Sequence, residues 1–193
     1  MHMQLRSTRS LDAMRPVLQN EDCSGPDPLY WVYKEVQPGG RWENLTIIAP
    51  GKIGDEYPKT FGHYHETEVL ETYKLIAGKG VLMLQEKFLE NGNWIVEKVA
   101  NVYLVQAEPG DEIVISPQFG HSWSNVGDSC LLSFDDWRSG HSPSDYEPIQ
   151  NLKGLAYYLI EKEGKPYPIA NSNYQNLPEP IWTTAKEFAS RQK

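Results

Sequence analysis

The chain lacks most features that mark secreted, membrane or nucleic-acid-binding proteins. Its 193 residues include only two cysteines, Cys23 and Cys130, far apart and without the spacing of a zinc site. No run of about 18 apolar residues predicts a transmembrane helix, and residues 1–15 lack the apolar core of a signal peptide. The net charge of −8 argues against a nucleic-acid-binding face. We therefore expect a reduced, cytoplasmic protein that binds neither nucleic acid nor membrane.

What the chain contains is a series of short strand-like segments separated by turns. Hydrophobic residues make up 39% of it, enough for a core. The predicted strands are 29–36, 45–49, 69–77, 81–87, 94–99, 102–107, 112–116, 131–134, 155–162 and 166–170. Many short strands with regular turn signals indicate an all-β sandwich or small barrel. Short helices are expected at the termini, over 10–18 and 184–193, the second beginning with the capping-box pair Thr184 and Glu187.

The domain organisation follows from length. A chain of 193 residues suits a single domain over 1–193. We place the barrel core at about 29–170 and a C-terminal extension at 171–193.

The most informative segment is Gly62-His63-Tyr64-His65. Side chains of an extended chain alternate between faces, so His63 and His65 point one way and Tyr64 the other. Glu71 shares that parity if the strand resumes in register. With His121, which follows a second strand–turn boundary, these residues could surround one divalent metal and leave coordination positions open. Open positions are typical of catalytic metal sites.

The donor set does not select one metal. Imidazole and carboxylate ligands suit Fe(II), Mn(II), Ni(II) or Zn(II), and Fe(II) is our first choice. The alternative is that His63 and His65 are surface histidines and that His121 is a half-buried residue without a ligand.

The spacing around these residues resembles the cupin family. His-x-His, then Glu71 followed by six residues and Gly78, resembles the first cupin motif, and Gly110, Pro117, His121 and Asn125 resemble the second. Five residues separate His65 from Glu71, a longer gap than most cupins have. In the length of this gap, the chain resembles the archaeal-type cupin phosphoglucose isomerases. The resemblance implies a double-stranded β-helix (jelly-roll) barrel with one metal ion per chain, held by His63, His65, Glu71 and His121.

Further segments resemble the same subfamily, and they imply a phosphate site. Thr46, Thr60, Gly62 and His141 match its phosphate-binding positions, and hydroxyls, a glycine N–H and an imidazole are suitable donors. The subfamily has a phosphate-contacting tyrosine where this chain has Trp137. We expect Arg138 to replace that contact.

The implied reaction interconverts glucose 6-phosphate and fructose 6-phosphate, a step of glycolysis and gluconeogenesis. Glu71 is the expected proton carrier, and Tyr73 is either a relay hydroxyl or part of the pocket wall. A metal-assisted hydride shift, with Glu71 purely structural, is the competing mechanism. The rival functions are an Fe(II) dioxygenase and a non-enzymatic sugar-binding cupin.

We also expect a homodimer, because a partner often covers the exposed strand edges of a small barrel. Residues 29–36 are the predicted pairing segment.

Overall fold

Two β-sheets packed face to face make up most of the molecule. The computed structural model describes residues 3–192. The first sheet has six strands in the order β1-β2-β3-β9-β4-β7, and the second has four in the order β12-β6-β5-β8. The strands are β1 Gln4–Arg9, β2 Tyr30–Lys34, β3 Asn44–Ile48, β4 Glu71–Ala77, β5 Gly80–Glu90, β6 Asn93–Ala107, β7 Glu112–Ile115, β8 Phe119–Asn125, β9 Leu131–Asp135, β10 Tyr157–Lys162, β11 Lys165–Ala170 and β12 Ile181–Thr184.

The inner faces of the two sheets meet in an aromatic and aliphatic core. Tyr73 of β4 contacts both His121 and Trp123 of β8, with ring centroids 5.6 Å and 6.0 Å apart. Trp123 is the largest fully buried side chain. Such burial supplies most of the stabilisation of a domain of this size. The all-β, jelly-roll fold predicted from the sequence is confirmed.

Within residues 3–192, three short helices lie outside the sheets: α1 Leu11–Met14, α2 Pro143–Asn151 and α3 Ala185–Arg191. Ser10 caps α1, and a 3-10 turn continues it to Val17. Thr184 and Glu187 form the predicted capping box of α3. Helix α2 was not predicted, because its two prolines and polar composition hide the helical period. Among the described residues no helix has the length and apolarity that a membrane crossing requires.

Several strand predictions need correction. The segments 94–99 and 102–107 form one strand, β6, because the irregularity that reads as a turn is a bulge within β6, where residues 100 and 101 lie opposite one residue of β5. Strands β1, β8 and β12 were missed. Strands β1 and β12 extend the two sheets from outside the predicted core, and β8 pairs with β5 within it. The predicted dimer segment, 29–36, is also misplaced. Its strand β2 pairs with β1 on one side and β3 on the other, so it has no free edge.

Candidate metal centre

The backbone brings the two histidine segments together. The His63 N–H donates to the His121 carbonyl at 3.2 Å, and the His121 N–H donates to the His63 carbonyl at 3.0 Å. His121 lies in the middle of β8, whereas 58–70 is an extended segment without a regular strand. Alternation nevertheless holds there: Tyr64 turns away from both histidines and accepts a hydrogen bond from Gln85.

Glu71 joins the histidines from the first residue of β4. Its Oε2 atom lies 2.8 Å from His65 Nε2 and 3.1 Å from His121 Nε2. The first contact is a hydrogen bond, whereas the second lacks hydrogen-bond alignment and leaves His121 Nε2 without a partner. Ligand atoms of His63, His65, Glu71 and His121 all lie within 4.8 Å of one another. All four predicted metal residues therefore meet at one point inside the barrel.

The protonation states of this cluster suit a cation. Burial, together with repulsion from His121 and His141, holds the pKa of His63 well below its usual range. Burial alone would raise the pKa of Glu71, but charge attraction from His121 and His65 and the hydrogen bond with His65 lower it to about 2. At neutral pH, His63 is therefore neutral and Glu71 is ionised. These are the forms that bind divalent metals.

Trp137 packs against the cluster. Its ring stacks on that of His65 with centroids 3.8 Å apart, and its indole N–H donates to the Gly140 carbonyl at 2.7 Å. The indole N–H is therefore already bonded within the protein.

A cavity of about 650 Å³, including the open space at its mouth, adjoins the cluster. His63 belongs to both the cluster and the cavity wall. The predicted phosphate residues Thr46, Thr60, Gly62 and His141 also line it, as does Tyr73. Five predicted substrate residues from separate parts of the chain thus surround one space beside the metal ligands.

The hydroxyl of Thr60 is oriented by its neighbours. It accepts a hydrogen bond from the Trp123 N–H at 3.1 Å and lies 3.2 Å from the Ser122 hydroxyl. Ser122 donates its own proton to the Thr60 carbonyl at 2.8 Å. The proton of Thr60 is therefore available to Ser122 or to a ligand in the cavity.

Arg138 does not reach this cavity, so its predicted phosphate contact needs correction. Its guanidinium donates to Glu43 at 2.7 Å and to the backbone carbonyls of Gly40 and Arg41, on an exposed part of the surface. The indole of Trp137, its neighbour in sequence, lies in the interior instead. Adjacent residues of an extended chain face opposite sides, which explains the difference.

The prediction also missed several cavity residues, and the polar ones among them include Arg6, Arg9, Asn44, Asp135 and Tyr146. The sequence carries a signal for Asp135, which directly follows the predicted strand 131–134. Burial and the nearby charge of Glu71 raise its pKa to about 8, against hydrogen bonds from Asn44 and the Trp137 N–H. Across the cavity, burial lowers the pKa of His141 to about 4, although Glu71 opposes the shift. At neutral pH both groups are largely uncharged.

Comparison with known proteins identifies the family of this chain. A family model described as Glucose-6-phosphate isomerase (GPI) matches residues 32–176. The chain belongs to the glucose-6-phosphate isomerase family. The matched segment contains every predicted metal and phosphate residue, and it excludes β1.

Individual relatives agree with the family. The glucose-6-phosphate isomerase of Thermococcus litoralis is 28% identical over 172 residues, covering 83% of this chain and 83% of the relative. That of Thermococcus onnurineus is 30% identical over 150 residues, covering 76% and 71%. Membership of this family confirms the predicted enzyme class, glucose-6-phosphate isomerase.

Solved structures that resemble the chain are more distant. One is described as a predicted oxalate decarboxylase from Thermotoga maritima, with 16% identity and a TM-score of 0.40 over 69% of this chain and 90% of that one. Another is the capsular polysaccharide assembling protein CapF from Staphylococcus aureus, with 18% identity and a TM-score of 0.41. The alignment with CapF covers 63% of this chain but only 32% of CapF.

Proposed function

We propose that this chain interconverts glucose 6-phosphate and fructose 6-phosphate with one divalent metal ion held by His63, His65, Glu71 and His121. The observation that carries the proposal is the position of this buried cluster at the wall of a cavity lined by phosphate-type donors. A sugar phosphate anchored by those donors would extend its reacting end towards the cluster.

The residues fit a metal ion. His63 Nε2, His65 Nδ1 and His121 Nε2 are buried and have no hydrogen-bond partner among the described residues. A buried polar atom without a partner costs about 1–3 kcal/mol, so three in one place indicate a missing ligand. Three imidazoles and a carboxylate suit Fe(II), the metal we propose, and also Mn(II), Ni(II) and Zn(II).

A metal ion bound there would polarise the substrate's carbonyl and hydroxyl oxygens as a Lewis acid. The remaining catalytic tasks fall to the protein. Isomerisation moves a hydrogen between C1 and C2 of the sugar, so both carbons must be held beside one group that accepts and returns a proton.

Thr46, Thr60, Gly62 and His141 would hold the phosphate at the far end of the substrate. Gly62 has a φ of +83°, a left-handed conformation that favours glycine and sets the direction of its backbone. Binding energy from a phosphate remote from the reaction reduces the entropic cost of orienting the sugar.

Glu71 is the candidate proton carrier. Both of its histidine contacts use Oε2, and the other carboxylate oxygen takes part in neither. Burial and the adjacent charges of Glu71 and Asp135 raise the pKa of Tyr73 well above its usual value, so its hydroxyl keeps its proton and can donate a hydrogen bond. Glu71 would therefore move the proton, and Tyr73 would steady the carboxylate or the substrate.

A coupled assay of fructose 6-phosphate isomerisation tests the function. We expect activity in the metal-loaded wild type, and a fall in kcat of about a hundredfold or more in Glu71→Gln, since general base catalysis contributes about that much. Glu90→Gln, the same change at an exposed position of β5, is the control and should retain activity. A wild type without isomerase activity would refute the proposal.

Isotope transfer separates the two mechanisms. Proton transfer through Glu71 predicts that deuterium from the solvent enters C2 of the sugar during turnover. Complete retention of the original hydrogen in a single turnover would instead support the hydride shift.

We further propose that the protein acts in glycolysis or gluconeogenesis in the cytoplasm, as a homodimer. Its two cysteines are both free, which suits a reducing compartment. The edge strand β1 exposes Leu5 and has one paired side, so it replaces 29–36 as the candidate contact. Sedimentation at micromolar concentration as a single-chain species would refute the dimer.

A further inference from the structure

Strand β1 brings two arginines to the substrate cavity. The register of β1 against β2 shifts between Leu5 and Ser7, which makes Arg6 the extra residue of a β-bulge. Bulges re-aim side chains, often next to active sites. Arg6 lines the cavity here, although it remains exposed, and it donates from Nη1 to the Asn44 side chain at 3.2 Å. Its other terminal nitrogen lies beside Gly140, because a Cβ added at that glycine would be 2.6 Å away.

Arg9 is held between aromatic rings on the same side of the cavity. Its guanidinium carbon lies 5.3 Å from the ring centre of Phe61 and 5.6 Å from that of Tyr146. Its charge also faces the phenol oxygens of Tyr30 and Tyr146. Cation–π contacts of this kind fix the plane of a guanidinium without neutralising it.

Neither guanidinium has a carboxylate partner among residues 3–192. Arg15, Arg41 and Arg138 each form an ion pair at 2.7–2.8 Å. Arg6 instead contacts a neutral amide, and Arg9 contacts neutral rings. In a chain with a net charge of −8, two unpaired arginines at one cavity indicate a site for an anion.

The neighbours of the two arginines include the proposed phosphate residues. Phe61, under Arg9, lies between Thr60 and Gly62. Gly140, beside Arg6, precedes His141. Thr46 lies two residues from Asn44 on β3. The two positive charges therefore border the part of the cavity that the proposed phosphate residues line.

A phosphate bound in this cavity would need positive charge beside it, which the two arginines can supply. A phosphate monoester carries about −1.5 to −2 charges at neutral pH. Thr46, Thr60 and Gly62 line the cavity and supply neutral donors only. A dianion in a partly enclosed cavity requires compensating positive charge, and no other arginine or lysine of residues 3–192 lines the cavity.

We infer that Arg6 and Arg9 bind the phosphate of the substrate and supply the charge that the other phosphate contacts lack. This inference rests on the proposed function for the identity of the substrate. Both residues precede the segment matched by the family model, which begins at residue 32, so family membership does not assign them.

Binding of inorganic phosphate to the Mn(II)-loaded full chain tests the inference by calorimetry. Arg6→Gln and Arg9→Gln should each weaken phosphate binding about tenfold or more, since each removes a charge-assisted hydrogen bond. Each should raise the KM for fructose 6-phosphate by a similar factor and change kcat much less. Arg191→Gln removes the same charge from exposed α3 and should bind phosphate as the wild type does.

Two further variants separate binding from structure. Arg9→Lys keeps the charge without the planar fork, so its phosphate affinity should fall between those of wild type and Arg9→Gln. Arg6 is exposed, so Arg6→Gln should melt at the wild-type temperature and still lose affinity.

The possible failures are distinguishable. Phosphate affinities of Arg6→Gln and Arg9→Gln equal to that of the wild type would overturn the inference, as would a wild type that does not bind phosphate. A wild type that binds phosphate through these arginines but does not isomerise the sugar would refute the proposed function alone.

Discussion

Replacing Asp135 by asparagine should change how stability depends on pH. Asp135 is buried in the cavity wall, and its pKa is raised from 3.8 to about 8 by burial and the charge of Glu71. Between these two values the folded state holds a proton that the unfolded state has released. The stability that this proton contributes is complete below about pH 4 and is lost as the pH rises through about 8.

The magnitude follows from one proton. A difference of one bound proton changes the free energy of unfolding by about 1.4 kcal/mol per pH unit. Through Asp135, the free energy of unfolding of the wild type should therefore fall by about 3 kcal/mol between pH 5 and pH 7. Asparagine cannot ionise, and its Oδ1 can still accept from the Asn44 amide and the Trp137 N–H, which both bond Asp135 now.

Urea unfolding at pH 5, 6 and 7 measures this effect. The full chain should be treated with a chelator, because a bound cation would offset the charge of Glu71. We expect the free energy of unfolding of Asp135→Asn, relative to that of the wild type, to rise by about 3 kcal/mol from pH 5 to pH 7. Asp128→Asn, the same change in the exposed turn between β8 and β9, is the control, and its free energy of unfolding should depend on pH as that of the wild type does. Parallel curves for wild type and Asp135→Asn would refute the reasoning.

Two other substitutions test the assignment of polar contacts. Arg138→Gln should leave the KM for fructose 6-phosphate unchanged, because the Arg138 guanidinium bonds Glu43 and the backbone outside the cavity. A tenfold rise in the steady-state KM would show instead that Arg138 belongs to the phosphate site. Asn125→Ala should lower the free energy of unfolding by about 2–3 kcal/mol in urea titrations, because its amide donates to the carbonyls of Ile48, Ala49 and Ser129. A loss below about 0.5 kcal/mol would contradict that role.

The metal residues could be predicted from the sequence because local geometry decides them. Alternation alone places His63 and His65 on one side of an extended segment, and it places Tyr64 on the other. His121 required the second motif, because it joins the cluster through a backbone bridge between distant segments. Most of the other short strands could be predicted because each combines apolar residues with flanking turns, whereas β8 mixes polar and aromatic residues and was missed.

The arginines could not be predicted in the same way. Strand β1, Gln4–Arg9, is almost entirely exposed and has no alternating pattern, so its conformation depends on pairing with β2. The direction of Arg6 depends on a bulge that exists only in that pairing. Arg138 was predicted from its position next to Trp137, but neighbours in sequence occupy opposite sides of the chain there.

The most direct test of the central claim is the metal dependence of isomerisation. The full chain would be stripped with a chelator, its metal content measured, and portions refilled with Fe(II), Mn(II), Ni(II) or Zn(II) before a coupled assay with fructose 6-phosphate. We predict that stripping abolishes activity and that at least one metal restores it at about one ion per chain, the number that the four-residue cluster can hold. Full activity in the stripped protein, or none after any refilling, would contradict a metal-dependent isomerase built on His63, His65, Glu71 and His121.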